Sequence, residues 1–199
     1  MRPIPIYRIL LLMELLSFLK QKRLFTEEEC ISIADAFKSE VIPKGTVIQQ
    51  LHGYSEKVLF IEEGLMRTFY LKDGKDITHF FFDENALIAP LNSIFFGKTE
   101  PYGWESIEAC RVKSIHYTDF LQIEEQFPKL TRLLLEFAIK IVHLYSQKLD
   151  LLQFQTAYER YNLFLEMYPN LHNRVSLGST ASFLGVTQQT LSVIRAKTD

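Results

Sequence analysis

The sequence predicts an α+β chain: a jelly roll of short strands, then one long helix, then a small all-helical piece. Three observations carry this expectation. Short β-type runs crowd residues 46–117 without a long helix among them. Residues 129–152 carry apolar positions at alternating steps of three and four. From Thr156 onward the pattern returns to short amphipathic helices punctuated by Pro169-Asn170 and Gly185. The expected divisions are 1–128, 129–153 and 154–199. With 199 residues, 47% of them hydrophobic, the chain is long enough for a packed core and too apolar for extended disorder.

In chain order, Ile9 to Leu16 is a short apolar run. Glu14 interrupts it, and Lys20, Lys22 and Arg23 follow where a signal peptide would place small residues. No uncharged apolar stretch reaches 18 residues, so no membrane span is expected and the protein is read as cytoplasmic. Met13 competes with Met1 as the natural start. Residues 9–38 read as two helices, the second opened by Thr26 as N-cap with Glu27, Glu28 and Glu29 in its first turn. Pro43-Lys44-Gly45 ends that pattern. Val58-Leu59-Phe60-Ile61 reads as a buried strand and Glu62-Glu63-Gly64 as a turn. Leu65–Leu71 and Lys75–Phe82 flank Asp73-Gly74, a two-residue hairpin signal because both central residues need positive φ. Glu105–Tyr117 supplies a further pair of strands. Residues 85–103 are irregular, with Pro90, Gly97, Pro101 and Gly103; an irregular insertion in a roll is where a ligand sits.

On the long helix, Leu130, Leu134, Phe137, Ile141, Leu144, Lys148 and Leu151 form one stripe with a single polar member. Leu135, Ala138, Val142, Tyr145, Leu149 and Leu152 form a second. Either both stripes face one monomeric core, or one of them meets the same helix of a second subunit. The frequency of two-fold pairing among soluble proteins favours the second. The seam is expected at Leu130, Leu134, Phe137, Ile141, Leu144 and Leu151.

The stretch S-L-G-S-T-A-S-F-L-G-V-T-Q-Q-T-L-S-V-I-R-A-K, Ser176 to Lys197, has helix-turn-helix spacing. Ala181 is small where a second helix crosses, and Gly185 four residues later supplies the left-handed turn residue. Leu191 and Ile194 return to the core, and Thr187 is an N-cap. Thr187, Gln188, Gln189, Ser192, Arg195 and Lys197 are the candidate DNA-binding residues. Glutamines at the helix N-terminus can read adenine edges, and the two cations would sit near phosphates. A net charge of −2 excludes a uniformly basic nucleic-acid binder, so any DNA contact is local. Residues 156–197 hold four cations against two carboxylates, a sign that agrees. A plain helical hairpin with a solvated polar face would give the same pattern.

This order of parts resembles the Crp/Fnr family of bacterial transcription regulators over nearly the whole chain. V-L-F-I-E-E-G-L-M-R-T-F-Y with D-G-K-D-I-T-H-F-F-F is similar to the central strands of a cyclic-nucleotide-binding domain. A-S-F-L-G-V-T-Q-Q-T-L-S-V-I-R-A-K is similar to the family's recognition motif. The resemblance implies a dimer on double-stranded DNA, RNA polymerase as a further partner, and cyclic nucleotide or another small-molecule effector. The family's nucleotide cassette uses a Gly-Glu pair and then an Arg for the cyclic phosphate. Here the pair falls at Ile88-Ala89, and Thr99–Glu105 holds Glu100 and Glu105 with no Arg or Lys. A phosphate there would lose its bidentate partner and meet carboxylates. Cyclic AMP is therefore disfavoured. Phe82, Ile88, Ala89, Tyr102 and Trp104 are the candidate apolar effector pocket, or simply core. The family often places Arg near the positions of Gln188 and Val193; neither is basic here, so a different operator is expected. No wing is expected after the recognition helix.

Two other classes compete. A cupin-like metalloenzyme on the same roll needs clustered histidines, but His52, His79, His116, His143 and His172 have no ligand-pair spacing. The other is a protein-interaction module that uses the last helices. No phosphate loop, nucleophile elbow or Cys-His pair is visible, and the two cysteines, Cys30 and Cys110, exclude a disulfide scaffold. No catalytic residue, metal ligand or certain cofactor is assigned.

Overall fold

The computed structural model describes residues 14–198. Both candidate starts, Met1 and Met13, and most of the apolar run from Ile9 lie outside them. Helix α1, Leu15–Lys22, follows Glu14, whose side chain makes no cap. The buried Glu62 carboxylate takes that role, accepting from the Leu15 N–H at 2.9 Å. Leu15, Phe18 and Leu19 share one face of α1 and are buried, with Phe18 5.1 Å from the Phe60 ring. Helix α2, Glu27–Asp35, opens on Thr26 as N-cap, as the sequence predicts, and the Glu29 carboxylate completes a capping box by accepting from the Thr26 N–H.

The second helix ends earlier than expected. Residues 9–38 read as helical, yet strand β1 occupies Lys38–Ile42. Its side chains are mostly exposed, so no alternation marks it. It exists because it pairs antiparallel with β8, Cys110–His116, from Lys38 opposite Ser114 to Ile42 opposite Cys110.

Strands β2 (Val47–Gln49), β3 (Lys57–Glu63), β4 (Met66–Lys72), β5 (Lys75–Phe82), β6 (Leu87–Ile88) and β7 (Gly103–Ser106) complete two four-stranded sheets. Their orders are β1-β8-β3-β6 and β2-β7-β4-β5. Ile42, Leu59, Ile61, Ile88, Cys110 and Val112 from the first sheet pack with Met66 and Trp104 from the second. Asp73 (φ 52°) and Gly74 (φ 73°) make the two-residue turn of the β4–β5 hairpin. Gly64 turns β3 into β4 at φ 102°, where a Cβ would stand 2.6 Å from the Ala109 carbonyl oxygen and 2.7 Å from Cys110 Sγ.

The irregular 85–103 segment contains a short helix α3, Leu91–Phe96. Helix α4 spans Tyr117–Gln126 and α5 spans Leu130–Phe154, the long helix expected from the heptads. Helix α6, Ala157–Met167, starts on a second capping box, Thr156 with Glu159. Helices α7, Leu177–Leu184, and α8, Gln188–Thr198, end the described chain. The α+β expectation holds. By contacts the chain forms two compact units: residues up to Thr68 with Phe81–Leu133, and Phe69–Phe80 with the chain from Leu134 onward.

Candidate nucleic-acid interface

Helices α7 and α8 form the expected helix-turn-helix. Ser176 caps α7, its hydroxyl accepting from the Ser179 N–H at 3.0 Å. Gly185 closes α7 at φ 66°, and the Val186 N–H returns to the Ala181 carbonyl at 3.0 Å. Ala181, Phe183, Leu184, Leu191 and Ile194 are buried. Around them the rings of Phe164, Tyr168 and Phe183 meet in tilted and edge-to-face contacts with centroids 5.6–5.8 Å apart. This aromatic floor fixes the helix pair against α6.

Thr187, Gln188, Gln189, Thr190, Ser192 and Lys197 are exposed on α8 and its cap, with Val193 an exposed apolar residue among them. The Thr187 hydroxyl accepts from the Thr190 N–H at 3.1 Å, so it works as the N-cap of α8. The Gln188 amide lies over the first turn of α7; a Cβ on Gly178 would sit 3.1 Å from its Nε2. Gln189 and Ser192 carry no such brace. Arg195 departs from its expected place on the exposed face. It is half-buried, its guanidinium 5.6 Å from the Tyr161 ring centroid, with Nε and Nη2 buried. Its long stem follows the core-facing edge of α8, one residue after Ile194, and the aromatic face of Tyr161 is its partner.

Arg160 escaped the sequence reading. It donates to the carbonyls of Leu152 (3.1 Å), Gln155 (3.0 Å) and Leu184 (3.1 Å). Two of these close helices α5 and α7, so one guanidinium satisfies C-terminal carbonyls that have no partner within their own helix. A lone Arg on an amphipathic helix gives no local signal of that role.

On α5 the structure separates the two stripes. Leu130 and Leu151 are buried within the chain, and Leu134, Phe137, Ile141 and Leu144 are half-buried. The residues expected at a two-fold seam are thus the inward ones. The open face is the other stripe, widened by Ile139: Leu135 is 59% exposed, Ile139 60%, Val142 68% and Leu149 53%. Both stripes have the same period, so sequence alone could not tell inside from outside.

Ile88 and Trp104 are buried in the sandwich core with Phe82 packed against it. Ala89 and Tyr102 are half-buried and not members of that cluster. In the irregular segment, Glu100 is buried. Its Oε1 accepts from the Ser93 N–H at 2.9 Å and its Oε2 from the Asn92 amide at 3.3 Å, both in the first turn of α3. Glu105 is held by Arg67, Nη2 to Oε2 at 2.6 Å. On the outer side of the first sheet a cleft of about 350 Å³ is lined by Glu14, Asp35, Glu40, Glu62, Arg111 and Lys113 among others. Among the described residues no cluster of three or more His, Cys, Asp or Glu is placed to hold a metal ion, and no helix is long and apolar enough to cross a membrane.

No protein-family model matches the chain, and no curated protein matches it in sequence. Solved structures do. A mutant of CooA from Carboxydothermus hydrogenoformans superposes with a TM-score of 0.70 at 15% identity, covering 93% of this chain and 84% of that one. The c-di-GMP-responsive global regulator CLP of Xanthomonas campestris gives 0.70 at 13% identity, covering 87% and 91%. A transcriptional regulator of the Crp/Fnr family from Eubacterium rectale gives 0.66 at 14% identity, covering 87% and 83%. Two four-stranded sheets, a 25-residue helix and a terminal helix-turn-helix, in this order and matched over most of the length, are the fold of the Crp/Fnr transcription regulators, and this chain has that fold.

Proposed function

We propose that the chain is a dimeric, DNA-binding transcription regulator whose β-roll holds no working cyclic-nucleotide site. The observation that carries the reading is the surface of α8. A helix whose inner side is anchored by Leu191 and Ile194 presents Gln189 and Ser192 unbraced at the end where base edges are reached. The open stripe of α5 supports the dimer. Leu135, Ile139, Val142 and Leu149 recur at steps of four, three and seven, the spacing of a helix seam, and all are more than half exposed.

Three features support a roll without nucleotide. The side chains in its interior pack on one another at Phe82, Ile88 and Trp104. The first-turn N–H of α3 that could face an anion already donates to Glu100. Arg67, a cation of the second sheet, is paired with Glu105. No enzymatic step belongs to this reading.

Selection from a random double-stranded DNA library tests it. Two recognition helices related by a two-fold enter successive major grooves about 34 Å apart, so wild type should enrich a pseudo-palindrome. Gln189→Ala should relax one base pair in each half-site, by roughly 1–3 kcal/mol. A library in which wild type enriches nothing would sink the DNA-binding reading.

A further inference from the structure

The inward stripe of α5 has one polar member, Lys148, and it is 9% exposed. Its ammonium donates to the backbone carbonyl of His79 on β5. It also lies 4.9 Å from the centroid of the Phe80 ring and 4.2 Å from that of Phe183 on α7. The Thr78 N–H crosses the same junction, donating to Ser182 Oγ at 3.1 Å. Tyr145, one turn before Lys148, packs its ring 4.6 Å from Phe80 and 5.7 Å from His79. Residues 78–80 of the hairpin are therefore seated on α5 and on the first helix of the helix-turn-helix, all within one compact unit.

A carbonyl and two ring faces are modest compensation for an ammonium that can donate three hydrogens and has left water. The rings attract its charge, but burial opposes it. A leucine or methionine at this heptad position would fill the same seat without that opposition. A polar residue in an otherwise apolar stripe lowers the strength of the contact it makes.

We propose that this junction is a releasable latch: Lys148 seats the β4–β5 hairpin on the first helix of the helix-turn-helix, and its charge keeps that seat weaker than an apolar side chain would. What the latch controls rests on the DNA-reading role of α7 and α8 given above; the latch itself does not. The titratable groups around Lys148 are His79 on β5, Tyr70 on β4, whose ring lies 6.4 Å from that of His79, and Tyr145 on α5. From α7 the seat receives Ser182 and Phe183, neither of which titrates. Burial lowers Lys148 from 10.5 to about 7. Burial, then the charge of Lys148, lowers His79 from 6.5 to about 4. On release both groups return towards their ordinary values, so the released form binds more protons. The latch therefore tightens as pH rises from about 7 towards 10.5 and loosens as pH falls. His79 loosens it further between pH 6.5 and about 4.

Hydrogen exchange of the Thr78 amide in the full chain reads the latch directly, because that N–H is the one held by Ser182. After correction for intrinsic exchange, its protection should rise between about pH 7 and 9, approaching tenfold per unit. Lys148→Met should protect the same amide about tenfold or more better at pH 7, with no slope. Should that variant fold poorly, an NMR titration of the Lys148 side chain in wild type decides alone, with a midpoint near 7 expected. A pH-independent Thr78 amide in wild type, weaker protection in Lys148→Met, or a Lys148 midpoint above about 10 would each overturn the latch. If wild type binds no DNA, the functional reading fails while these amide and side-chain readouts still stand.

Discussion

Arg195 and Lys197 are two residues apart on α8 and face different surroundings. Arg195 lies over Tyr161 with two of its nitrogens buried, so it acts through packing and cation–π attraction. Lys197 is exposed. Arg195→Ala should lower stability by about 1–2 kcal/mol, read as a drop in melting temperature. Lys197→Ala should leave the melting temperature unchanged and reduce the slope of DNA affinity against salt by about one per protomer, or about two for the dimer. The reverse pattern would mean that α8 offers Arg195 to the phosphates. Gly64 is the other residue whose surroundings dictate its identity. It combines φ 102° with a carbonyl oxygen 2.6 Å from where a Cβ would stand. Gly64→Ala should cost about 3 kcal/mol or more, because the β3–β4 turn must shift as well as strain. A melting temperature within a degree of wild type would contradict that geometry.

At the scale of elements, α5 carries the sharpest prediction. Its stripe at Leu135, Ile139, Val142 and Leu149 is open, whereas Leu130 and Leu151 are already buried in the monomer. Val142→Glu should place a charge in the seam and cost the dimer several kcal/mol, leaving the monomer folded. Sedimentation should then show a dimer for wild type and a monomer for the variant; a wild type that is monomeric at micromolar concentration would remove the seam altogether. The elements themselves were unequally legible. Helix α2 announces itself through Thr26 as N-cap and α6 through its amphipathic pattern from Thr156; both open on capping boxes, which are contacts between residues three apart. The β4–β5 turn is equally local at Asp73-Gly74. Strand β1 is not, since it pairs with β8, from Lys38 opposite Ser114 to Ile42 opposite Cys110, far along the chain.

For the whole molecule, the resemblance implies a nucleotide-driven regulator and the packing argues otherwise. Calorimetry with cyclic AMP should show no binding at micromolar concentrations. The resemblance implies a cation where Glu100 and Glu105 stand, and both carboxylates are committed, to the first turn of α3 and to Arg67. Micromolar affinity would mean that a cation from another part of the chain reaches the roll.

The sequence by itself determined the order of architecture: a run of short strands, a heptad helix and a helix-turn-helix at Ala181, Gly185, Leu191 and Ile194. These are periodicities and turn residues, and each is set by neighbours within about ten positions. Tertiary structure alone decided which stripe of α5 faces inward, because two stripes of equal period have no local difference. It alone turned Phe82, Ile88 and Trp104 into core, drew Arg195 onto Tyr161, and set Arg160 beneath the ends of α5 and α7. It also gave Lys148 its role. In the sequence that lysine is a blemish in an apolar stripe; only when β5 and α7 bring Phe80 and Phe183 to its ammonium does it gain the partners that hold it. Such contacts join residues tens of positions apart, so they depend on how the elements pack, which no local pattern encodes.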